Sequence, residues 1–463
     1  MNRFLQKRIN SLLLTLTLIG GASVSYGQAQ ELEGLQLSIS GRGLAATGSE
    51  NPFWMYSNQY GRLDAETNVL GLAQVAYATR FNENHRLEIG GGLLANDGIY
   101  DGVKADELYA TYTWKWIEAN AGLKHRERQL NGISSVDGDI VWSNNARALP
   151  GIYIRMLKPL KVFKWLEASA TFGHYFLEED RYVSNAQVHH KSLELALVFS
   201  PGDRLSGSMK HYVQFGGTSP VYGEQPTDFK NLINIFFGQG ASAGSGAFGG
   251  DQINSLGNGL GSYELAYEFT RPTFYLKLYH QSLFEDTSGI ELSNFPDGVW
   301  GAYLEPEGIS WLDALDLEYV QTVSQSGRFG DASNGGSFSG GDSYFWNGIY
   351  QSGWNYQNRI IGLPFIIPGV YGQRNVNDRS YVVHLGATGS FGKLQYRGKL
   401  SYVTNLGTYN ISYQPREHAL YSYGELRYAT AFGVFTGTLG LDWSDRVQNT
   451  LGVGLGYRYN FSL

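Results

Sequence analysis

Eight side chains in two stretches carry the chemistry of carbohydrate recognition. Trp142, Asn144, Asn145 and Arg147 form the first group, and Tyr344, Trp346, Trp354 and Tyr356 the second. A flat aromatic face suits the C–H side of a sugar ring, and planar amides hold its hydroxyls. The Arg147 fork matches a carboxylate in bidentate geometry, which suits a uronate or another acidic sugar. The same aromatics also serve as packing anchors in long loops, or as the interfacial girdle of a membrane protein. Residue type names the chemistry and leaves the role of each side chain open.

Hydrolytic chemistry is a second class. His211, His280 and His384 lie in strand-like segments, with serines and acids throughout the chain. A Ser-His-Asp group is defined by geometry and not by order. The Gly-x-Ser-x-Gly string Gly240 to Gly244 follows no strand and so makes no nucleophile elbow, and no His-Glu-x-x-His motif is present. His189 and His190 are adjacent, so on a strand their rings face opposite sides and cannot chelate one metal. The Gly-Gln-Gly within Gly238 to Gly250 follows no strand, the context a dinucleotide fingerprint needs. No catalytic residue, cofactor or metal site is assigned, and the chain reads as non-enzymatic.

The elements that position these residues are strands. Leu451, Val453, Leu455, Tyr457, Tyr459, Phe461 and Leu463 alternate with Gly452, Gly454, Gly456, Arg458, Asn460 and Ser462. A period of two puts the two sets on opposite faces. At about 3.3 Å per residue such a strand spans roughly 40 Å, enough to cross a bilayer at a tilt. Its aromatic end resembles the terminal recognition strand of bacterial outer-membrane barrels.

The same alternation defines eighteen strands: 34–46, 69–81, 86–95, 106–114, 117–126, 150–156, 165–175, 190–199, 203–215, 261–269, 273–283, 299–304, 313–324, 380–390, 394–404, 421–430, 434–443 and 450–463. Short connections (Asn82 to His85, Ser200 to Gly202, Phe391 to Lys393) alternate with mostly long ones (127–149, 216–260, 284–298, 325–379, 405–420). That sorting is what an antiparallel transmembrane β-barrel demands, with long extracellular loops and both termini periplasmic.

Bulk properties agree. Arg3, Lys7 and Arg8 precede the apolar run Leu12 to Ile19 and small residues near Gly27, the form of a secretory signal over 1–27. Its removal leaves 28–463 as a single barrel domain and takes the formal net charge from −7 to about −10, which argues against nucleic acid as a partner. There is no Cys, and so no disulfide or thiolate site. No segment is apolar for the ~18 residues a membrane helix needs.

The inward faces carry both signs of charge, among them Lys124, Arg126, Lys210, Glu264, Lys277, Glu318, Arg397, Lys399 and Glu425. Mixed signs pair across strands, whereas a selective pore favours one sign. Loops 216–260 and 325–379 are too long for idle connections and are expected to fold into the lumen and plug it, or to cap it. Within them, 228–236 has helical spacing, with Thr227 or Asp228 as N-cap.

Ordered strings mark the loops and strand ends. They include Asn51-Pro-Phe-Trp-Met-Tyr-Ser-Asn58, Ser143-Asn-Asn-Ala-Arg147, His211-Tyr-Val-Gln-Phe-Gly-Gly217, Asp297-Gly-Val-Trp-Gly301, Gly353-Trp-Asn-Tyr356 and Gly362-Leu-Pro-Phe365. In this order they resemble the capsule-assembly outer-membrane family called Wzi, in its Bacteroidetes form. The resemblance spans nearly the whole chain after the signal. It implies an eighteen-stranded barrel closed by its loops, and a lectin-like role attaching capsular polysaccharide to the cell surface. Relatives from enteric bacteria carry periplasmic helices, for which Gln28 to Gly34 leaves little room. The expected partners are capsular or other surface polysaccharide, outer-membrane lipid and, during biogenesis, the barrel-insertion machinery; the barrel is expected to be a monomer. A porin-like channel for small solutes is the alternative.

Overall fold

Eighteen antiparallel strands close on themselves. They are β1 (Gly34–Ala46), β2 (Val69–Asn82), β3 (His85–Asn96), β4 (Gly102–Trp114), β5 (Ile117–Leu123), β6 (Pro150–Met156, continuing after a break as Leu160–Phe163), β7 (Leu166–Phe176), β8 (Gln187–Ser200), β9 (Asp203–Phe215), β10 (Asn258–Arg271), β11 (Phe274–Phe284), β12 (Gly298–Pro306), β13 (Ala314–Gln321), β14 (Ser380–Phe391), β15 (Leu394–Gly407), β16 (Ser412–Thr430), β17 (Gly433–Ser444) and β18 (Thr450–Ser462). Each pairs with its sequence neighbours. The seam joins β1 to β18 in register from Gln36↔Ser462 to Ala46↔Gly452. The structure is a computed structural model that describes residues 33–237, 256–285, 289, 291–325, 327, 342–370 and 372–462. The expected signal over 1–27 and the stretch Gly238 to Gly250 lie outside the described residues.

Alternation sets the two faces. On β18, Leu451, Val453, Leu455, Tyr457, Tyr459 and Phe461 are exposed, Leu455 at 77%, while Gly452 and Gly454 are buried. On β15, Leu400 and Tyr402 point out, and Arg397, Lys399 and Ser401 are buried within. An apolar exterior over a polar interior is the inverse of a soluble core, and it follows from a low-dielectric surrounding. The interior charges pair across strands. Lys277 Nζ lies 2.7 Å from Glu264, Arg204 bridges Glu194 and Glu268 (2.5 Å to the latter), and Glu425 receives Arg427 at 2.9 Å and Arg42 at 3.3 Å.

Several boundaries differ from the alternation pattern. The stretch 405–420 is not a long loop, because β15 runs to Gly407 and β16 begins at Ser412. β5 stops at Leu123 and not at 126, β13 stops at Gln321 and not at 324, and β4 starts earlier, at Gly102. Beyond the bilayer both faces of a strand are wet, so alternation fades where pairing still continues. The helix expected over 228–236 is present as α2 (Phe229–Phe237), preceded in the chain by a single turn α1 (Phe53–Tyr56). Asp228 is the N-cap, its carboxylate accepting Lys230 N at 3.1 Å and Asn231 N at 3.2 Å.

Candidate functional site

The β5–β6 connection crosses the lumen. β14 stands nine strands round the ring from β5, on the opposite wall, and its His384 Nε2 lies 2.8 Å from Ile133 O. Nearby, Ser134 Oγ donates to Glu318 Oε1 at 2.7 Å, Ser135 N donates to Glu318 Oε2 at 2.7 Å, and Lys399 Nζ donates to Ser134 O at 2.9 Å. Gln281 grips the returning limb, donating to Gly138 O (2.8 Å) and accepting Ile140 N (2.9 Å). The wall is shaped for this contact. A Cβ on Gly386 would sit 2.2 Å from Ile133 O. Residues 132–149 are all buried.

The β13–β14 connection packs on that loop. Trp354 Nε1 donates to Val141 O at 2.6 Å, Ser143 Oγ to Gly362 O at 2.8 Å, and Asn145 Nδ2 to Ile360 O at 2.9 Å. The two backbones touch where Gly362 lies, since a Cβ there would meet Ile140 O at 2.4 Å. Asp297 ties the root of this connection to the wall, accepting Ser324 N at 2.7 Å, Gln325 N at 2.8 Å and Tyr344 Oη at 3.0 Å. Burial raises the Asp297 carboxyl above the usual range despite these donors.

Of the eight candidates, Trp142, Asn144, Asn145, Arg147, Tyr344, Trp354 and Tyr356 are buried, and Trp346 is half-buried beneath the Arg374 guanidinium, 4.4 Å from its ring. They are not one cluster. Trp142, Asn144 and Arg147 line a luminal cavity of about 350 Å³ together with Lys124, Tyr175 and Lys210. Trp142 packs edge-on against Tyr175 at 4.8 Å. Asn144 Nδ2 donates to Asp137, whose carboxyl is raised by burial. Arg147 Nη2 donates to Ala105 O, its Nη1 has no hydrogen-bond partner, and among the described residues no carboxylate forms an ion pair with it. Burial lowers the Arg147 pKa, opposed by the charge of Asp106. Tyr344, Trp354 and Tyr356 sit within the loop packing.

A second cavity of about 560 Å³ lies at the loop end of the barrel, between β1 and β15–β18. Phe53, Tyr56, Tyr421, Arg359, Glu417 and Asp442 line it, with Asn145 at its inner side and exposed Glu50, Val447 and Gln448 at its mouth. Phe53 is stacked between Phe365 (5.4 Å) and Tyr421 (4.6 Å). The otherwise orphaned N–H at the start of α1, on Phe53, donates to Asp442 Oδ2 at 2.7 Å. Arg359 Nη2 donates to Asn145 Oδ1 (3.0 Å) and Tyr56 O (3.1 Å). Among the described residues, buried Asn51 Oδ1, Asp442 Oδ1 and Arg359 Nε find no hydrogen-bond partner. Rings edged by unmatched donors and acceptors fit a polyhydroxylated ring. Sequence reading missed this cavity. The Asn51–Tyr56 string was distinctive but suggested no chemistry by itself, and nothing in the sequence set Asp442 apart.

His189, His190 and His384 are held in ring packing and hydrogen bonds. His189 points outward to Phe172 and His190 inward to Tyr212, where it stacks at 4.3 Å. His384 Nδ1 lies 2.7 Å from Ser401 Oγ, but both residues are fully buried and Trp54 Nε1 also donates to that hydroxyl at 3.0 Å.

A closed antiparallel barrel of eighteen strands, greasy outside and charged inside, is an outer-membrane β-barrel protein. The chain belongs to the family of capsule assembly protein Wzi, whose sequence profile matches residues 34–365. Among solved structures it is similar to Wzi of Escherichia coli, with a TM-score of 0.60 and 13% identity over 92% of this chain and 85% of that one. That protein is described as an outer-membrane protein involved in group 1 capsule assembly and as a carbohydrate-binding β-barrel. OccK5 (OpdH) of Pseudomonas aeruginosa gives a TM-score of 0.50 and 11% identity over 93% of this chain and 99% of that one. At such identities the likeness is one of fold. No curated protein matches the sequence.

Proposed function

We propose that this barrel binds capsular or other surface polysaccharide and helps anchor or assemble the capsule at the outer face of the outer membrane, without chemistry. The observation that carries this reading is the loop-end cavity, where Phe53, Tyr56 and Tyr421 stand beside the unmatched polar atoms of Asn51, Asp442 and Arg359. The E. coli relative's description as a carbohydrate-binding barrel supports it. Trp142, Asn144 and Arg147 form a deeper subsite, suited by the unpaired guanidinium to acidic sugars. The long loops face outward, both termini face the periplasm, and 1–27 is a removed signal. The β5–β6 loop, held on both walls, keeps the lumen closed to solutes. The loop strings point to the Bacteroidetes form of the family, working as a monomer surrounded by outer-membrane lipid after delivery by the barrel-insertion machinery.

The test is retention of purified capsule from the native strain by the purified barrel. Wild type is expected to bind it, and Asp442→Ala or Tyr56→Ala to bind about tenfold more weakly, the cost of one lost contact of ~1.4 kcal/mol. Capsule left firmly attached in a deletion strain would reject the anchoring role. Large, stable unitary conductance steps in planar bilayers would reject the closed lumen.

A further inference from the structure

The outer wall of β7–β9 interrupts the apolar belt. Alternation turns His174, His189, Lys191 and His211 outward, opposite the inward Tyr175, His190 and Tyr212. Lys191 Nζ lies 2.8 Å from His211 Nδ1 and 5.1 Å from the Phe236 ring, and among the described residues no carboxylate pairs with it. An ammonium on the lipid face costs about 2–4 kcal/mol at the bilayer midplane and close to nothing at the interface. Lys191 therefore marks the upper border of the belt, which continues along β8 as exposed Leu193, Leu195 and Phe199.

Helix α2 sits on this same outer wall. Val213 and Phe215 point outward on β9 and are nevertheless buried, because Ile235 of α2 and Leu256 pack on them. Phe236 reaches Phe172 at 6.2 Å and His189 at 5.6 Å. Helix α2 and Leu256, within 216–260, thus lie against the outside of the barrel and not in its lumen. Phe229, Leu232 and Ile233 remain exposed. Beneath Phe236 runs a groove of about 500 Å³ whose outward wall is made by Ile154, Met156, Phe172, Leu193 and Met209, with Lys191 beside Phe236.

We propose that this groove is a binding site for a phosphorylated, acylated glycolipid of the outer leaflet. An acyl chain lies along Leu193, Met209 and Ile154, continuous with the lipid belt. A phosphate oxygen accepts a charge-assisted hydrogen bond from Lys191 at the interface. The exposed apolar side of α2 flanks the same acyl region. An apolar trough that ends on an acid-free ammonium matches this ligand at both ends, and the site is independent of what the loop-end cavity holds.

Native mass spectrometry of the full barrel released from detergent tests it, with bisphosphorylated lipid A as the probe and dephosphorylated lipid A and phosphatidylglycerol as competitors. Wild type is expected to retain lipid A, Lys191→Gln to retain it about tenfold more weakly, and Lys191→Arg to restore it. Dephosphorylated lipid A is expected to bind both proteins as weakly as lipid A binds Lys191→Gln. A charge at the interface contributes close to nothing to folding, so Lys191→Gln forms the barrel, as its heat-modifiable mobility will report. Equal retention by wild type and Lys191→Gln overturns the proposal, and so does a preference for phosphatidylglycerol over lipid A.

Discussion

Ser134 and Glu318 meet at 2.7 Å on the far side of the lumen from β5, the strand that launches the loop carrying Ser134. The contact makes the interior of this barrel an organised layer and not a set of independent wall side chains. Glu318 also receives Ser135 N (2.7 Å) and Tyr279 Oη (2.6 Å), so one carboxylate satisfies three buried donors.

Glu318→Ala strands those donors in a dry site. Each unsatisfied donor costs about 1–3 kcal/mol. The variant is expected to unfold at a lower temperature than wild type and to expose the 124–149 loop to protease. Unchanged melting and unchanged cleavage would show that the loop is held elsewhere.

Gly386→Ala addresses the same docking sterically. The added methyl would meet the backbone oxygen of Ile133 at 2.2 Å, and backbone cannot swing aside as a flexible side chain can. Wild type is expected to be electrically silent in planar bilayers, and Gly386→Ala to show intermittent openings. A silent variant would mean that the second layer, around Trp354 and Gly362, seals the lumen by itself.

Asp378, in the β13–β14 connection, links loop docking to pH. Burial pushes its carboxyl up to about 6, although Ser343 Oγ and Gln325 Nε2 donate to it. The docked state therefore holds a proton that the undocked state, near 3.8, has released. Below pH ~4 both states are protonated and Asp378 has no effect. Stability falls as pH rises from about 4 to about 6 and stays lower above it, by at most roughly 3 kcal/mol. Limited proteolysis of 342–370 is expected to quicken across that window in wild type and to be flat in Asp378→Asn. A wild-type rate that slows as pH rises would contradict the assignment.

Arg147→Ala separates binding from stability. The guanidinium gives up one hydrogen bond, to Ala105 O, and no ion pair. Stability is expected to change by no more than about 1–2 kcal/mol, within the usual range for one lost bond. Binding of an acidic polysaccharide is expected to weaken about tenfold, and that of a neutral one to be unaffected. Equal loss for both would point to a packing role.

Strands were legible in the sequence because lipid and water impose opposite residue types at a period of two. β18 shows this from Leu451 to Phe461. The pattern failed at Ser412–His418, where β16 carries Pro415, Arg416 and Glu417 in quick succession. Loop organisation was not legible, because Trp142, Trp354 and Asn145 would look the same whether they held a sugar or each other. What decides is proximity to residues hundreds of positions away, such as Asp442 beneath Phe53. The side on which α2 docks was equally hidden. Its apolar spacing fits a lumen as well as an outer wall, and only the buried outward pair Val213 and Phe215 distinguishes them.

The crossing loop carries an implication for assembly. Its anchors Gln281, Glu318, His384 and Lys399 follow it in the chain by 141 to 265 residues. The loop therefore cannot finish docking until the strands through β15 have been added, and a mutation that weakens the docking is expected to slow closure of the ring, read as slower appearance of the heat-modifiable form on refolding.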